Sequence, residues 1–206
     1  VPTPERPSGQ HFELPTERSG DSPQLTSLLA LGGLARLPRT GWLQAGLYEV
    51  ESVAAHAHGV ATLVLALAGE VEPALDVDRA VTLAVVHDAP EALLGDLPRS
   101  AQELLPPGAK AAAEAEAAAR LLGAFAPAAH ARFVEFGEGA SREARFVRVC
   151  DRLHLGLELL ARARSGARGL SRFAGVLAGL QCAEFAPAER LRLELVAALA
   201  HTEAFA

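Results

Sequence analysis

The chain has 206 residues, half of them hydrophobic and 5% aromatic, with a formal charge of −6. That length accommodates one domain with a sizeable core plus a tail, and its Ala, Leu and Val, punctuated by Gly and Pro, point to an all-α protein. The acidic balance argues against nucleic acid as a main partner, because a polyanion calls for a basic surface. A small phosphorylated ligand, which a few Arg can handle locally, stays open.

Two cysteines, Cys150 and Cys182, form no CxxC pair, which fits a reducing cytosol and a cytoplasmic protein rather than a disulfide framework. The longest apolar run, 59–69, is shorter than the roughly 18 residues of a membrane span. No basic segment followed by an apolar one opens the chain, so neither a membrane partner nor a signal peptide is expected.

Residues 1–24, rich in Pro, Ser, Gly and charge without periodicity, read as a flexible N-terminal tail, leaving 25–206 as one domain. A first helix is expected from near Thr26 to before Pro38. The next stretch, PRTGWLQAGLYEVES, has turn residues and reads as a loop, yet it carries the only Trp. Trp42 is there either as core packing or as one wall of a ligand pocket. Arg39 is either a solvated Arg or, beside an anionic site, a phosphate clamp.

A second helix is expected over 52–69, with Ser52 as its N-cap. Its apolar stripe is Val53, Val60, Leu63, Val64 and Leu67, and His56 falls within that stripe. The third, about 77–88, belongs to the most informative stretch of the chain, AVTLAVVHDAPEALLGD at 80–96. It is apolar almost all round, as a buried helix is. It ends in His87-Asp88, with Glu91 and Asp96 just beyond. Three carboxylates and an imidazole at the end of a buried segment are costly unless something binds there, and a divalent metal is the simplest occupant. Pro90 should open a short new helix that Gly95 stops, placing Glu91 one turn from the His-Asp pair.

The Ala-rich segment 109–125 forms a helix by propensity alone, with Lys110 near its start either exposed or a phosphate contact. Another short helix follows, and a long one runs from Ser141, its N-cap, to about Arg164. Asp151 lies on the edge of that helix's apolar stripe, where neither propensity nor solvation favours it, which makes it a candidate fourth ligand. Two amphipathic helices, 169–182 and 188–201, are expected to close the bundle.

His56, His87, Asp88 and Asp151 thus sit on three different helices, and facing helices are a common way to build a metal site inside a bundle. Two neutral imidazoles and two carboxylates match the charge of one divalent ion. The mixed N/O set suits Mn, Fe, Co, Ni or Zn better than Ca or Mg.

The ordered blocks RTGW (39–42), ESVAAH (51–56), HDAPEALLGD (87–96) and CDRL (150–153) resemble the HD-domain metal-dependent phosphohydrolases, in their 5′-deoxynucleotidase branch, over roughly residues 26–200. The resemblance implies a helical bundle with a single metal site, a homodimer, and release of phosphate from nucleoside 5′-monophosphates, with a preference for the deoxy form. By matching position it implies His56, His87, Asp88 and Asp151 as metal ligands. It makes Glu91 the residue that orients or deprotonates the attacking water, places Asp96 beside the sugar and leaving oxygen, and puts Arg39 and Trp42 along the nucleotide pocket. Two positions depart from the family pattern. Ala55 replaces the Glu that usually precedes the first His, which bears on how His56 is held. Arg99 follows Leu97-Pro98, and at a pocket mouth it would add a phosphate contact. A (deoxy)nucleoside triphosphohydrolase on the same metal and a non-catalytic nucleotide-binding module are the competing readings.

Overall fold

The computed structural model describes residues 18, 20–173, 175–203 and 205. The expected tail at 1–24 lies mostly outside the described residues. Among the described residues the fold is all-α, with no strand beyond one isolated bridge between Pro38 and Ser52.

The elements are α1 (Pro23–Gly32), α2 (Thr40–Gln44), α3 (Val53–Leu67), α4 (Val77–Val86), α5 (Glu91–Leu94), α6 (Arg99–Gln102), α7 (Ala109–Leu122), α8 (Pro127–Glu138), α9 (Arg142–Arg164) and α10 (Ala186–Ala200). α1 begins three residues earlier than Thr26, because the Ser22 side chain accepts from the Leu25 amide at 3.2 Å and Pro23 fits the first turn.

Three helices form the centre. Each starts at a side-chain cap that takes up an otherwise unpaired amide: Ser52 accepts from Ala55 N on α3 at 3.1 Å, Asp76 from Arg79 N on α4 at 3.0 Å, and Ser141 from Ala144 N on α9 at 3.0 Å. α3 packs against both α4 and α9, and α4 also packs against α9. The segment Val53–Glu70, 18 residues of mean hydropathy 1.3, is long and apolar enough by composition to cross a membrane. In this fold it is the middle of the core, with Val53, Val60 and Val64 fully buried. α10 covers α9, while α8 covers the other side of α4 and α7 packs on α8. α1, α5 and α7 share a second, smaller core around Ala30, Ala89, Leu121 and Leu122.

Two connections differ from the sequence expectation. The stretch after Pro38 contains the short helix α2, and its start is tied to the start of α3: Arg39 N donates to Glu51 O at 3.0 Å and Val53 N to Leu37 O at 2.9 Å. These bonds bring Arg39 and Glu51 side by side. The segment 169–182 is not an α-helix but a 3-10 turn, Ser171–Phe173, followed by turns. Gly169, Gly175 and Gly179 explain it: each costs a helix about 1 kcal/mol relative to Ala, and Gly169 takes φ +72°. Its apolar residues still reach the core, with Leu170, Leu177 and Cys182 buried.

The corner after α4 follows the expected pattern. The helix ends at Val86, α5 begins directly after Pro90, and Gly95 at φ +75° stops it while donating to Glu91 O at 2.8 Å. The chain then turns Asp96 back onto the start of α2.

Candidate metal centre

α3 places His56 in the core with no exposure, and His87, which is 5% exposed, caps the C-terminal end of α4. Asp88 follows in the corner, and α9 brings Asp151 from the other side. His56, His87 and Asp88 offer donor atoms that all lie within 4.8 Å of one another. His87 Nε2 is 3.1 Å from Asp88 Oδ2, and His56 Nε2 is 3.8 Å from the same oxygen. Asp151 joins from the edge of this group, its Oδ1 3.0 Å from His56 Nε2. Donor atoms ~3–4 Å apart are what a single ion with ~2.1 Å bonds requires around it.

The surroundings fit a cation. Among the described residues, three buried side-chain N or O atoms have no hydrogen-bond partner, and two of them are His87 Nε2 and Glu91 Oε2. Such atoms are expensive in a dry site unless a ligand completes them. His87 Nδ1 donates to Ala84 O at 2.7 Å, which fixes the tautomer and leaves Nε2 free to bind a metal.

The protonation pattern says the same. Burial alone would lower the His87 pKa, but the Asp88 and Asp151 carboxylates push it up to about 9. Burial would raise Asp88, yet His87, Arg39 and His56 hold it well below the usual carboxylate range. Glu91 is pushed up to about 9 by burial and by Asp88 and Asp96. Two of its groups, His87 and Glu91, thus hold their protons more tightly than usual, while Asp88 and Asp151 are held ionised. A divalent metal would replace those protons.

Arg39 lies over the mouth of the cluster, with Nη1 3.5 Å from Asp88 Oδ2 and 3.6 Å from Asp96 Oδ1. Asp96 also accepts from the Thr40 amide, so the start of α2 and the end of α5 are fastened together beside the metal ligands. Trp42 is buried in the core, at 1% exposure. Its ring packs on Phe173, with centroids 4.4 Å apart, and under the Arg162 guanidinium. Arg99 and Lys110 are not brought to the cluster. Arg99 pairs with Glu103, just past the end of α6, with a side chain 88% exposed, and Lys110 pairs with Glu114 at 2.6 Å.

Two residues at the centre escaped the sequence reading. Glu51 accepts from the Trp42 indole N–H at 3.3 Å, and its Oε1 stands 4.0 Å from His56 Nδ1. His154 Nδ1 lies 3.0 Å from His56 Nδ1, and burial holds its pKa down to about 4. The available signal was spacing: His154 is one turn beyond Asp151 on the same face of α9, and Glu51 directly precedes the cap of the helix that carries His56.

A cavity of about 700 Å3 adjoins the centre, lined by Asp151, Phe136, Phe185 and the α9 arginines Arg145, Arg148 and Arg152. Phe136 also packs its ring against His87, with centroids 5.3 Å apart.

A helical bundle with this His, His-Asp and Asp arrangement defines a class, and residues 31–176 match the HD domain family model. The chain belongs to the HD-domain family and is a metal-dependent phosphohydrolase of its HDDC2 branch. It is 28% identical to the 5′-deoxynucleotidase hdd1 of Schizosaccharomyces pombe, over 69% of this chain and 75% of that protein. It is 30% identical to mouse 5′-deoxynucleotidase HDDC2, over 68% and 70%. The match to bovine HDDC2 is 40% identical and spans only 34% of that protein. Among solved structures, a Pyrococcus horikoshii protein superposes with a TM-score of 0.74 at 31% identity, covering 84% of this chain and 99% of that one. A conserved hypothetical protein of Pyrococcus furiosus gives 0.73 at 32%, covering 83% and 98%.

Proposed function

We propose that the protein removes phosphate from (deoxy)nucleoside 5′-monophosphates. The observation that carries this is the convergence of His56, His87, Asp88 and Asp151 beside an unpartnered, buried Glu91 carboxyl oxygen. The names of the curated relatives support the same substrate class.

The four residues would hold one divalent ion from the Mn, Fe, Co, Ni and Zn group. When bound, it supplies Lewis acidity, lowering the pKa of water and polarising a phosphoryl oxygen. Glu91 then takes the proton from the attacking water as its oxygen bonds to phosphorus and the P–O bond to the 5′ oxygen breaks, and the Glu91 carboxyl returns that proton to the leaving oxygen. Arg39, already between Asp88 and Asp96, offsets the charge of the phosphate. Asp96, anchored by the Thr40 amide, stands at the sugar side. A cavity with the size of a small-molecule site opens beside Asp151. A homodimer in the cytoplasm completes the reading, and sedimentation equilibrium tests the dimer.

The function is tested by phosphate release after EDTA treatment and re-addition of Mn, Co or Zn. The substrates are ribo- and deoxynucleoside mono- and triphosphates, with Glu91→Ala as control. Metal-dependent release from monophosphates, lost in the variant, is expected. Release of tripolyphosphate would make it a triphosphohydrolase. No turnover with metal fully bound would make it a nucleotide-binding module.

A further inference from the structure

The crossing of α3 and α9 contains a device that the metal ligands alone do not explain. α3 brings His56 and, three residues on, Gly59 to this crossing. α9 presents Asp151 and, three residues on, His154. Residues so spaced share one helix face, so the two pairs meet. His56 Nε2 faces Asp151 Oδ1 at 3.0 Å and Asp88 Oδ2 at 3.8 Å, which makes Nε2 the atom aimed at a metal. Its Nδ1 must then carry the ring proton, and in a fully buried ring that proton needs an acceptor. The atom in hydrogen-bond reach is His154 Nδ1 at 3.0 Å, whereas Glu51 Oε1, at 4.0 Å, is out of reach.

Gly59 makes this possible. A Cβ at position 59 would stand 1.9 Å from His154 Nε2 and 2.3 Å from its Cδ2. The imidazole of His154 occupies the space in which any other residue would carry a side chain.

We propose that His154, seated in the gap left by Gly59, is the positioning residue that accepts the Nδ1 proton of His56 and thereby fixes that ring for metal binding. The inference rests on the reading of His56 as a metal ligand. His154 supplies from α9 the support that a metal-bound histidine ordinarily draws from a carboxylate or carbonyl, in a chain where Ala55 precedes His56.

The test measures Mn(II) or Co(II) dissociation constants on the full chain by competition with a chelating dye, together with the Co(II) absorption spectrum, ion stoichiometry and melting of the metal-free protein. His154→Ala should weaken metal binding roughly 10–100-fold while the chain stays folded. His154→Asn places an amide oxygen near the position of Nδ1 and should recover most of the loss. His154→Gln, whose oxygen falls nearer Nε2, should not. Gly59→Ala should weaken binding as much as His154→Ala does, and the double variant should be no weaker than His154→Ala alone.

A folded His154→Ala with wild-type affinity overturns the proposal, as does His154→Asn binding no better than His154→Ala. Two ions per wild-type chain, falling to one in His154→Ala, would make His154 a ligand and overturn it too. If the wild-type chain binds no metal, the reading of His56 falls with it. Wild-type affinity that survives in His154→Ala sinks this inference alone.

Discussion

The α4–α5 corner and the α3–α9 crossing each bring a histidine to the metal centre, and they hold it by different means. His87 is held locally: its Nδ1 donates to the carbonyl of Ala84, three residues back on its own helix. His56 is held at long range: its Nδ1 meets His154, 98 residues away on another helix. A backbone acceptor one turn back comes with helix formation and depends on no particular side chain. A side-chain acceptor on a second helix depends on the crossing and on a glycine to make room. The corner should therefore tolerate substitution around it, and the crossing should not.

The largest effect should come from the corner's own ligand. Asp88→Asn keeps the shape but removes the charge that His87, His56 and Arg39 all face. Metal affinity should fall more than about 100-fold, beyond the loss typical of an outer-shell partner, and phosphate release should become undetectable. Isothermal titration of the metal-free variant checks it, and retained affinity would remove Asp88 from the ligand set.

Glu91→Gln should separate chemistry from metal binding at the same corner. Turnover is expected to drop about 10²–10⁴-fold, the usual contribution of a general base, with metal affinity nearly unchanged. A parallel loss of metal would make Glu91 a ligand instead.

A smaller effect, on stability, comes from the protons the metal-free corner gathers. His87 and Glu91 both titrate near 9 in the fold, above their ordinary values of 6.5 and 4.5. The unfolded chain releases those protons first, so the stability they confer is fully present at low pH and lost as pH rises toward about 9. In EDTA the melting temperature should fall between pH 6.5 and 9. With saturating Mn(II) the stabilisation by metal should grow over the same range, because the ion needs deprotonated ligands. Parallel slopes with and without metal would show that the ion does not displace these protons.

The smallest change is expected at the two basic residues the fold leaves on the outside. Arg99→Ala and Lys110→Ala, each paired with a carboxylate four residues on, should alter kcat/KM for a monophosphate by less than about twofold. A tenfold rise in KM in either would place it on the substrate path.

The same contrast explains what could be read in advance. His87, Asp88, Glu91 and Asp96 lie within ten residues of one another, and the Pro90 and Gly95 stops that shape the corner are written beside them. Asp151 was legible because a carboxylate beside a mid-helix apolar stripe needs a reason. Glu51 and His154 carried no such mark. His154 interrupts no local rule, and its importance depends on Gly59, a residue whose absent side chain matters only once α9 is laid against α3. Trp42 was open between core and pocket because burial of a lone aromatic is settled by its neighbours, here Phe173 and Arg162, more than a hundred residues on. The glycines at 169, 175 and 179 outweighed the apolar pattern that suggested a helix there, although that pattern still fills the core.

What the amino-acid order by itself determined is the helical class, the capped starts of α3 and α9, the His-Asp corner and the residues that converge on it. These rest on caps, periodicity and stops that act within a few residues. The tertiary structure alone decided that His154 meets His56, that Arg39 rather than Arg99 or Lys110 faces the carboxylates, and that Trp42 is buried. Those are distances between side chains on separate helices, and they exist only once the helices have packed.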